Sequence, residues 1–339
     1  MRTAAQAALA GGVLAVGLLV GLTGMQARSL TTFVPGARPL PALEALTLSD
    51  RLRMGTLGPT LPRPENRRTP LELQVDFRTV TLESADGTAL EGWTLPHPRA
   101  RGEVVLVPGY RASRDSLLPV ADRLHGAGWR VTLMDPRGVG GSAGHRTTLG
   151  WRESQDVAAF VGLAQERTLG PVVIYGFSAG AAAALRSVAL GQSIAEAVIA
   201  EACFDTMRAA LDTRVRHLGA PTFPIVDLLL FWSWFDQEVP GWRHNPVDYA
   251  AQVRSPLLVL QGADDWRAPP SRARAIAAAA PQGAFALLDG TGHQPGVLTR
   301  PLAWERAVEG FLMEAVGPPD TSAPVPEGDD GIPPPPDAG

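Results

Sequence analysis

The sequence predicts an α/β fold: a mostly parallel, doubly wound sheet carrying a small helical insert. Two observations predict it. Apolar runs of strand length alternate with longer stretches of helical length, and most of those runs are apolar throughout. A strand without polar residues must be covered on both faces, as in a parallel sheet with helices on each side. The chain of 339 residues is long enough to bury a large core, and its 36 Gly and 31 Pro follow no collagen-like period.

The elements follow in order. Residues 71–82 and 88–97 predict an antiparallel opening pair. VVLVPG (104–109) is a buried strand, and 116–128 a helix closed by glycine. WRVTLMD (129–135) is a strand and 150–167 a helix. PVVIYG (171–176) is a strand, 178–191 a helix and 195–202 a strand. PLLVLQG (256–262) is a strand, 271–281 a helix, 283–290 the last strand and 302–316 the last helix. Residues 204–246 interrupt the alternation with the apolar run FPIVDLLLFWSWF.

The two ends differ from this middle. Residues 3–27 hold no charge, between Arg2 and Arg28. At ~1.5 Å per residue such a stretch can cross a bilayer. Cleavage after Ala27 or Gly24 would put Met25 or Leu22 three residues before the cut, where a small residue belongs, so an uncleaved anchor is favoured over a cleaved signal. Arg2 favours a cytoplasmic N-terminus with the rest outside the cytoplasm. Cleavage would instead yield a secreted form. Residues 29–66 read as a linker with one short helix (42–55), and the Pro-rich, Arg-free tail 317–339 reads as disordered.

Composition excludes several chemistries. All 30 basic residues are arginine, which rules out a phosphate-loop lysine, a Schiff-base lysine and a Ser–Lys dyad. One cysteine, Cys203, rules out an internal disulfide and thiolate zinc sites and is expected to pack as a small apolar residue. No HExxH occurs, and the net charge of −4 argues against nucleic acid as the main partner. No metal or organic cofactor is expected.

Gly176-Phe177-Ser178-Ala179-Gly180 is a GxSxG motif directly after one strand and directly before a helix. That context makes it a nucleophile elbow, with small flanking residues for a tight turn and a helix N-terminus beneath a developing oxyanion. Gly140-Gly141-Ser142-Ala143-Gly144 matches the same pattern but lies between no strand and helix, so Ser178 and not Ser142 is the candidate nucleophile. The nucleophile needs a base and an acid. In this sheet type they follow it in the order acid, histidine. Of His217, His244 and His293, only His293 follows a strand end and an earlier acid at a strand end. QGADDWRAP offers Asp265, with Asp264 second and Asp289 a distant third. Backbone N–H groups of Ala179 and Tyr110 are the candidate oxyanion donors. Phe177, Phe231 and Trp234 are candidate substrate-pocket residues, the latter two in an insert that could roof an apolar acyl pocket, pack as an ordinary helix, or touch the membrane.

VPGYRAS, DPRGVGGS, GFSAG, GADDWRAP and GTGH occur in an order that resembles the α/β-hydrolase superfamily over about 67–316. The likeness is greatest to small, singly anchored bacterial serine hydrolases of the esterase, thioesterase and dipeptidyl-peptidase type. It implies an α/β-hydrolase fold with a cap, Ser178 as nucleophile, Asp265 as acid, His293 as base, and Tyr110 with Ala179 as oxyanion donors. Asp135 and Gly138 match a structural turn of the family. Pro108-Gly109 departs from the common His-Gly. The expected activity is cleavage of an ester or thioester of a small-molecule acyl substrate through an acyl-enzyme. A peptidase of the dipeptidyl or aminopeptidase type, or a non-catalytic binding protein on the same fold, are the alternatives.

Overall fold

A computed structural model describes residues 2–40, 46–168 and 170–318. Eight strands form one sheet: β3 (Arg78–Glu83), β4 (Ala89–Leu95), β5 (Glu103–Val107), β6 (Arg130–Asp135), β7 (Val172–Phe177), β8 (Ala197–Glu201), β9 (Leu257–Gly262) and β10 (Gly283–Leu288). Their spatial order is β10-β9-β8-β7-β5-β6-β4-β3. β4 pairs antiparallel with both β3 and β6, and every other pairing is parallel. A separate two-stranded pair joins β1 (Phe33–Val34) to β2 (Leu61–Pro62).

Every residue of β5, β6, β8 and β9 is buried, which is why these strands read as mainly apolar runs with polar residues mostly at their ends. Successive residues still serve opposite layers. Val105 and Val107 pack with Val157, Phe160 and the alanines of the helix after Ser178, whereas Val104 and Leu106 pack with Leu118, Trp129 and Trp304. The first layer holds α4 (Glu153–Arg167), α5 (Ala179–Ala189), α8 (Pro246–Ala250) and α9 (Pro270–Ala279); the second holds α3 (Leu118–Gly126) and α10 (Pro301–Val316). Between β5 and β7 the chain reverses its direction of strand addition, and a crevice forms beyond the carboxyl ends of such strands.

The insert between β8 and β9 folds as α6 (Met207–His217) and α7 (Ile225–Gln237). At the N-terminus α1 (Arg2–Thr31) is one continuous helix, and α2 (Leu48–Leu57) follows. Among the described residues one helix is long and apolar enough to cross a membrane, over Leu9–Thr31. The stretch expected as a linker is tied down: Phe33 and Leu61 are buried with Val139, and Thr147 N–H donates to Thr31 O at 3.0 Å. The sequence hid this because two-residue strands leave no periodic signal. Residues 41–45, at the head of the expected short helix, and 319–339, most of the Pro-rich tail, lie outside the described residues. Cys203 is fully buried, and burial pushes its thiol well above the usual range.

Two buried polar sites fasten loops to this frame. Arg137 bridges Asp156 at 2.7 Å and Asp86 at 2.6 Å, the Asp156 side chain being wholly buried. His244 joins the end of the insert to the body: Nε2 lies 3.0 Å from Leu149 O and Nδ1 3.1 Å from the Tyr249 hydroxyl. Burial depresses the His244 pKa to about 4. The unfolded chain therefore takes up this proton first, so the stabilisation is complete above pH ~6.5 and is lost as pH falls towards 4. At ~1.4 kcal/mol per unit the loss is about 3 kcal/mol. Thermal melts between pH 7 and 4 should fall less steeply in His244→Gln than in the parent. Asp156→Ala, which leaves the Arg137 guanidinium only Asp86 and Ser84, should lower stability by about 1–3 kcal/mol in urea unfolding.

Candidate active site

Ser178 stands between β7 and α5 with φ 53° and ψ −113°, left-handed backbone that a non-glycine residue adopts only where packing imposes it. The packing is visible. A Cβ on Gly180 would strike the Val107 and Pro108 carbonyl oxygens, and one on Gly176 would come within 2.6 Å of the Ala181 nitrogen. Ser178 N–H donates to Glu201 O at 2.8 Å. The turn lifts the hydroxyl out of the sheet and leaves α5 starting immediately behind it.

His293 lies in the loop after β10. Its Nε2 is 3.0 Å from Ser178 Oγ and its Nδ1 2.7 Å from Asp265 Oδ2. The carboxylate only accepts, so the bond fixes the proton on Nδ1 and leaves Nε2 to accept from the serine. Asp265 sits in the turn after β9. Its Oδ1 takes the Arg267 and Ala268 N–H groups at 2.9 and 3.1 Å, and its Oδ2 also takes the Gln261 amide at 3.0 Å. Burial alone would raise the Asp265 pKa; the hydrogen bond and charge of His293, with the Ala268 N–H and the Gln261 amide, outweigh it and hold the pKa below the usual carboxylate value. Asp264 is exposed, and its backbone N–H bonds Thr291 O.

Tyr110 and Ala179 line one small cavity with Gly109 and Gly180. Neither backbone N–H donates to another group among the described residues. The loop after β5 comes very close to the elbow here, since a Cβ on Gly109 would lie 3.3 Å from Ser178 Cβ. The Tyr110 side chain turns the other way and donates from its hydroxyl to Leu30 O at 2.5 Å; burial pushes its pKa up to about 12. Phe177 stacks obliquely on the His293 ring, centroids 5.4 Å apart.

Other sequence candidates are placed elsewhere. Ser142 is buried, donating to Asp135 O at 2.6 Å and accepting the Glu91 N–H at 2.9 Å, a structural role in the turn that Asp135 also braces. His217 stacks on Trp266 at 3.8 Å. Asp289 is exposed, its carbonyl taking Arg300 Nε. Phe231 and Trp234, expected in a pocket, are not brought to the site. They are 40% and 48% exposed on the outer side of α7. Trp232 faces inward instead, lining an apolar groove between α1, α6 and α7. A helix reading IVDLLLFWSWF is apolar on nearly every side, so its sequence does not say which aromatic turns in.

Glu201 is a residue that sequence reasoning missed. Its buried carboxylate accepts the Gly296 N–H and the Tyr175 hydroxyl, each at 2.5 Å, and the Trp304 indole N–H at 3.0 Å. Burial raises its pKa despite these bonds. Its backbone oxygen holds Ser178 and its side chain holds the loop that carries His293. An acid closing an otherwise apolar strand was the one available signal. Among the described residues no three His, Cys, Asp or Glu side chains converge to hold a metal ion.

Residues 98–224 match the family model described as serine aminopeptidase, S33. An uncharacterised protein of Mycobacterium tuberculosis is 30% identical over 251 residues, covering 70% of this chain and 79% of the relative. An esterase of Pyrococcus furiosus aligns with a TM-score of 0.64 at 21% identity, over 76% of this chain and 97% of the other. The α/β hydrolase GrgF of a Penicillium species aligns with a TM-score of 0.57 at 17% identity, over 71% of this chain and 99% of the other. With the mostly parallel sheet, the elbow between β7 and α5 and these likenesses together, the chain belongs to the α/β-hydrolase superfamily.

Proposed function

We propose that the chain is a serine hydrolase that cleaves an ester or thioester through an acyl-enzyme. The observation that carries the reading is the hydrogen-bonded series Asp265–His293–Ser178 at a strained turn, beside two backbone N–H groups that donate to nothing else among the described residues. Ser178 Oγ attacks the carbonyl carbon and its proton passes to His293 Nε2. The resulting oxyanion accepts from the Tyr110 and Ala179 N–H groups. Asp265 stabilises the imidazolium. Collapse expels the alcohol or thiol, which takes the proton from His293. Water, deprotonated by the same nitrogen, attacks the acyl carbonyl; the acid leaves and Ser178 regains its proton. The matched family model's description keeps a peptidase in view. A peptide amide would pass through the same steps, with an amine leaving. The apolar α1 supports membrane attachment, with the hydrolase domain outside the cytoplasm as the expected side.

A fluorophosphonate probe should label the parent protein, and labelling should vanish in Ser178→Ala. On p-nitrophenyl esters, Ser178→Ala and His293→Ala should each lower kcat by at least ~10³-fold, and Asp265→Asn by about 10⁴-fold through the wrong tautomer. Folded parent protein that takes no label would overturn the enzyme reading. A panel of esters, thioesters and aminoacyl amides separates the substrate classes, and preferential turnover of the amides would favour the peptidase.

A further inference from the structure

The apolar N-terminal helix and the aromatic helix of the insert form one continuous surface. Side chains from Leu9 to Leu18 are exposed, whereas from Leu19 onward α1 lies against the protein. The Trp232 indole N–H donates to Val20 O at 2.9 Å, and its ring fills the space where a Cβ on Gly24 would stand. Gln26 Nε2 reaches Met54 O at 2.6 Å, and Arg28 pairs with Asp236 at 3.7 Å. The lower half of α1 is thus built into the domain.

Length then fixes depth. A helix needs about 20 residues to cross ~30 Å of hydrocarbon. The stretch long enough to cross runs over Leu9–Thr31, and its protein-covered part begins at Leu19, next to the two α1 residues that Trp232 touches, Val20 and Gly24. From Trp232 the rings continue outward without a break: to Phe235 at 5.4 Å and Phe231 at 5.5 Å, then from Phe231 to Trp234 at 6.2 Å and from Trp234 to Trp242 at 6.2 Å. Phe235 is 64% exposed. The charges come next along α1: Arg28 with Asp236, which also pairs with Arg146. Apolar, aromatic, charged is the order of side chains met on leaving a bilayer. In water this patch would be a liability; against headgroups it is an anchor.

We propose that the outer face of α7 lies in the headgroup layer of the membrane that α1 crosses, and that the groove between α1, α6 and α7 receives an acyl chain from that leaflet. The groove is lined by Leu30 of α1, Met207 and Leu211 of α6, and Leu229 and Trp232 of α7. Leu30 is also the residue whose carbonyl holds the Tyr110 hydroxyl, so the groove adjoins the oxyanion loop. The acyl-chain half rests on the hydrolase reading for its purpose: the substrate is then an acyl lipid resident in the membrane.

The test uses the full chain in phosphatidylcholine–phosphatidylglycerol liposomes. Cys203 is fully buried, so a maleimide fluorophore marks only an introduced thiol. A label on Phe235→Cys should be quenched several-fold more by lipids brominated near the carbonyl than a label on Asp122→Cys, an exposed site on α3. Equal quenching at the two sites would overturn the docking, as would crosslinking that pairs α7 with a second copy instead. A diazirine fatty acid in the same liposomes should crosslink to Met207 or Leu211. Crosslinks confined to α1 before Leu19 would overturn the groove. Both readouts are independent of catalysis. Quenching and crosslinking in protein that ignores fluorophosphonate would retire the hydrolase reading and leave the lipid site standing.

Discussion

The backbone of Ser178 is the constraint on which the rest depends. A serine at φ 53° costs on the order of 1–3 kcal/mol relative to an unstrained residue, and it persists only where its surroundings leave no alternative. Here they leave none. Gly180 presses on the carbonyls that end β5, Gly176 on the backbone of α5, and the serine N–H is held by β8. A buried face of alanines and glycine in the first turns of α5 is what lets the helix come so near the sheet. The composition of the motif and of its helix thus answers one geometric demand, a hydroxyl standing clear of a parallel sheet at the point where strand addition reverses.

A second element of order comes from β8. Glu201 receives the serine amide on its carbonyl and the Gly296 amide on its carboxylate. One residue therefore sets the spacing between two loops that come from opposite flanks of the strand order. Tyr175 and Trp304 complete its partners, one from β7 and one from α10. A buried carboxylate satisfied this fully is costly to disturb, because removing any donor leaves a desolvated acceptor behind.

Much of this was legible in the sequence, for identifiable reasons. Strands buried on both faces announce themselves as apolar runs, and the context of GFSAG separated Ser178 from Ser142, whose hydroxyl turns out to brace a loop. The order of strand ends pointed to Asp265 and His293. What stayed hidden lacks local signal. The facing of α7 is set by tertiary contact with α1. The β1–β2 pair is two residues long. Glu201 looks like any strand terminus until its partners, some of them about a hundred positions away, are seen together.

The bond from the Tyr110 hydroxyl to the Leu30 carbonyl ties the loop that would cradle the oxyanion to the last turn of the first helix. That helix is accordingly joined to the loop beside Ser178 and is not a separate appendage. In a shortened protein starting beyond it, the tyrosine would lose its acceptor, Trp232 its carbonyl and Met54 its amide donor. Solubility gained by such truncation would come with a loosened loop beside Ser178.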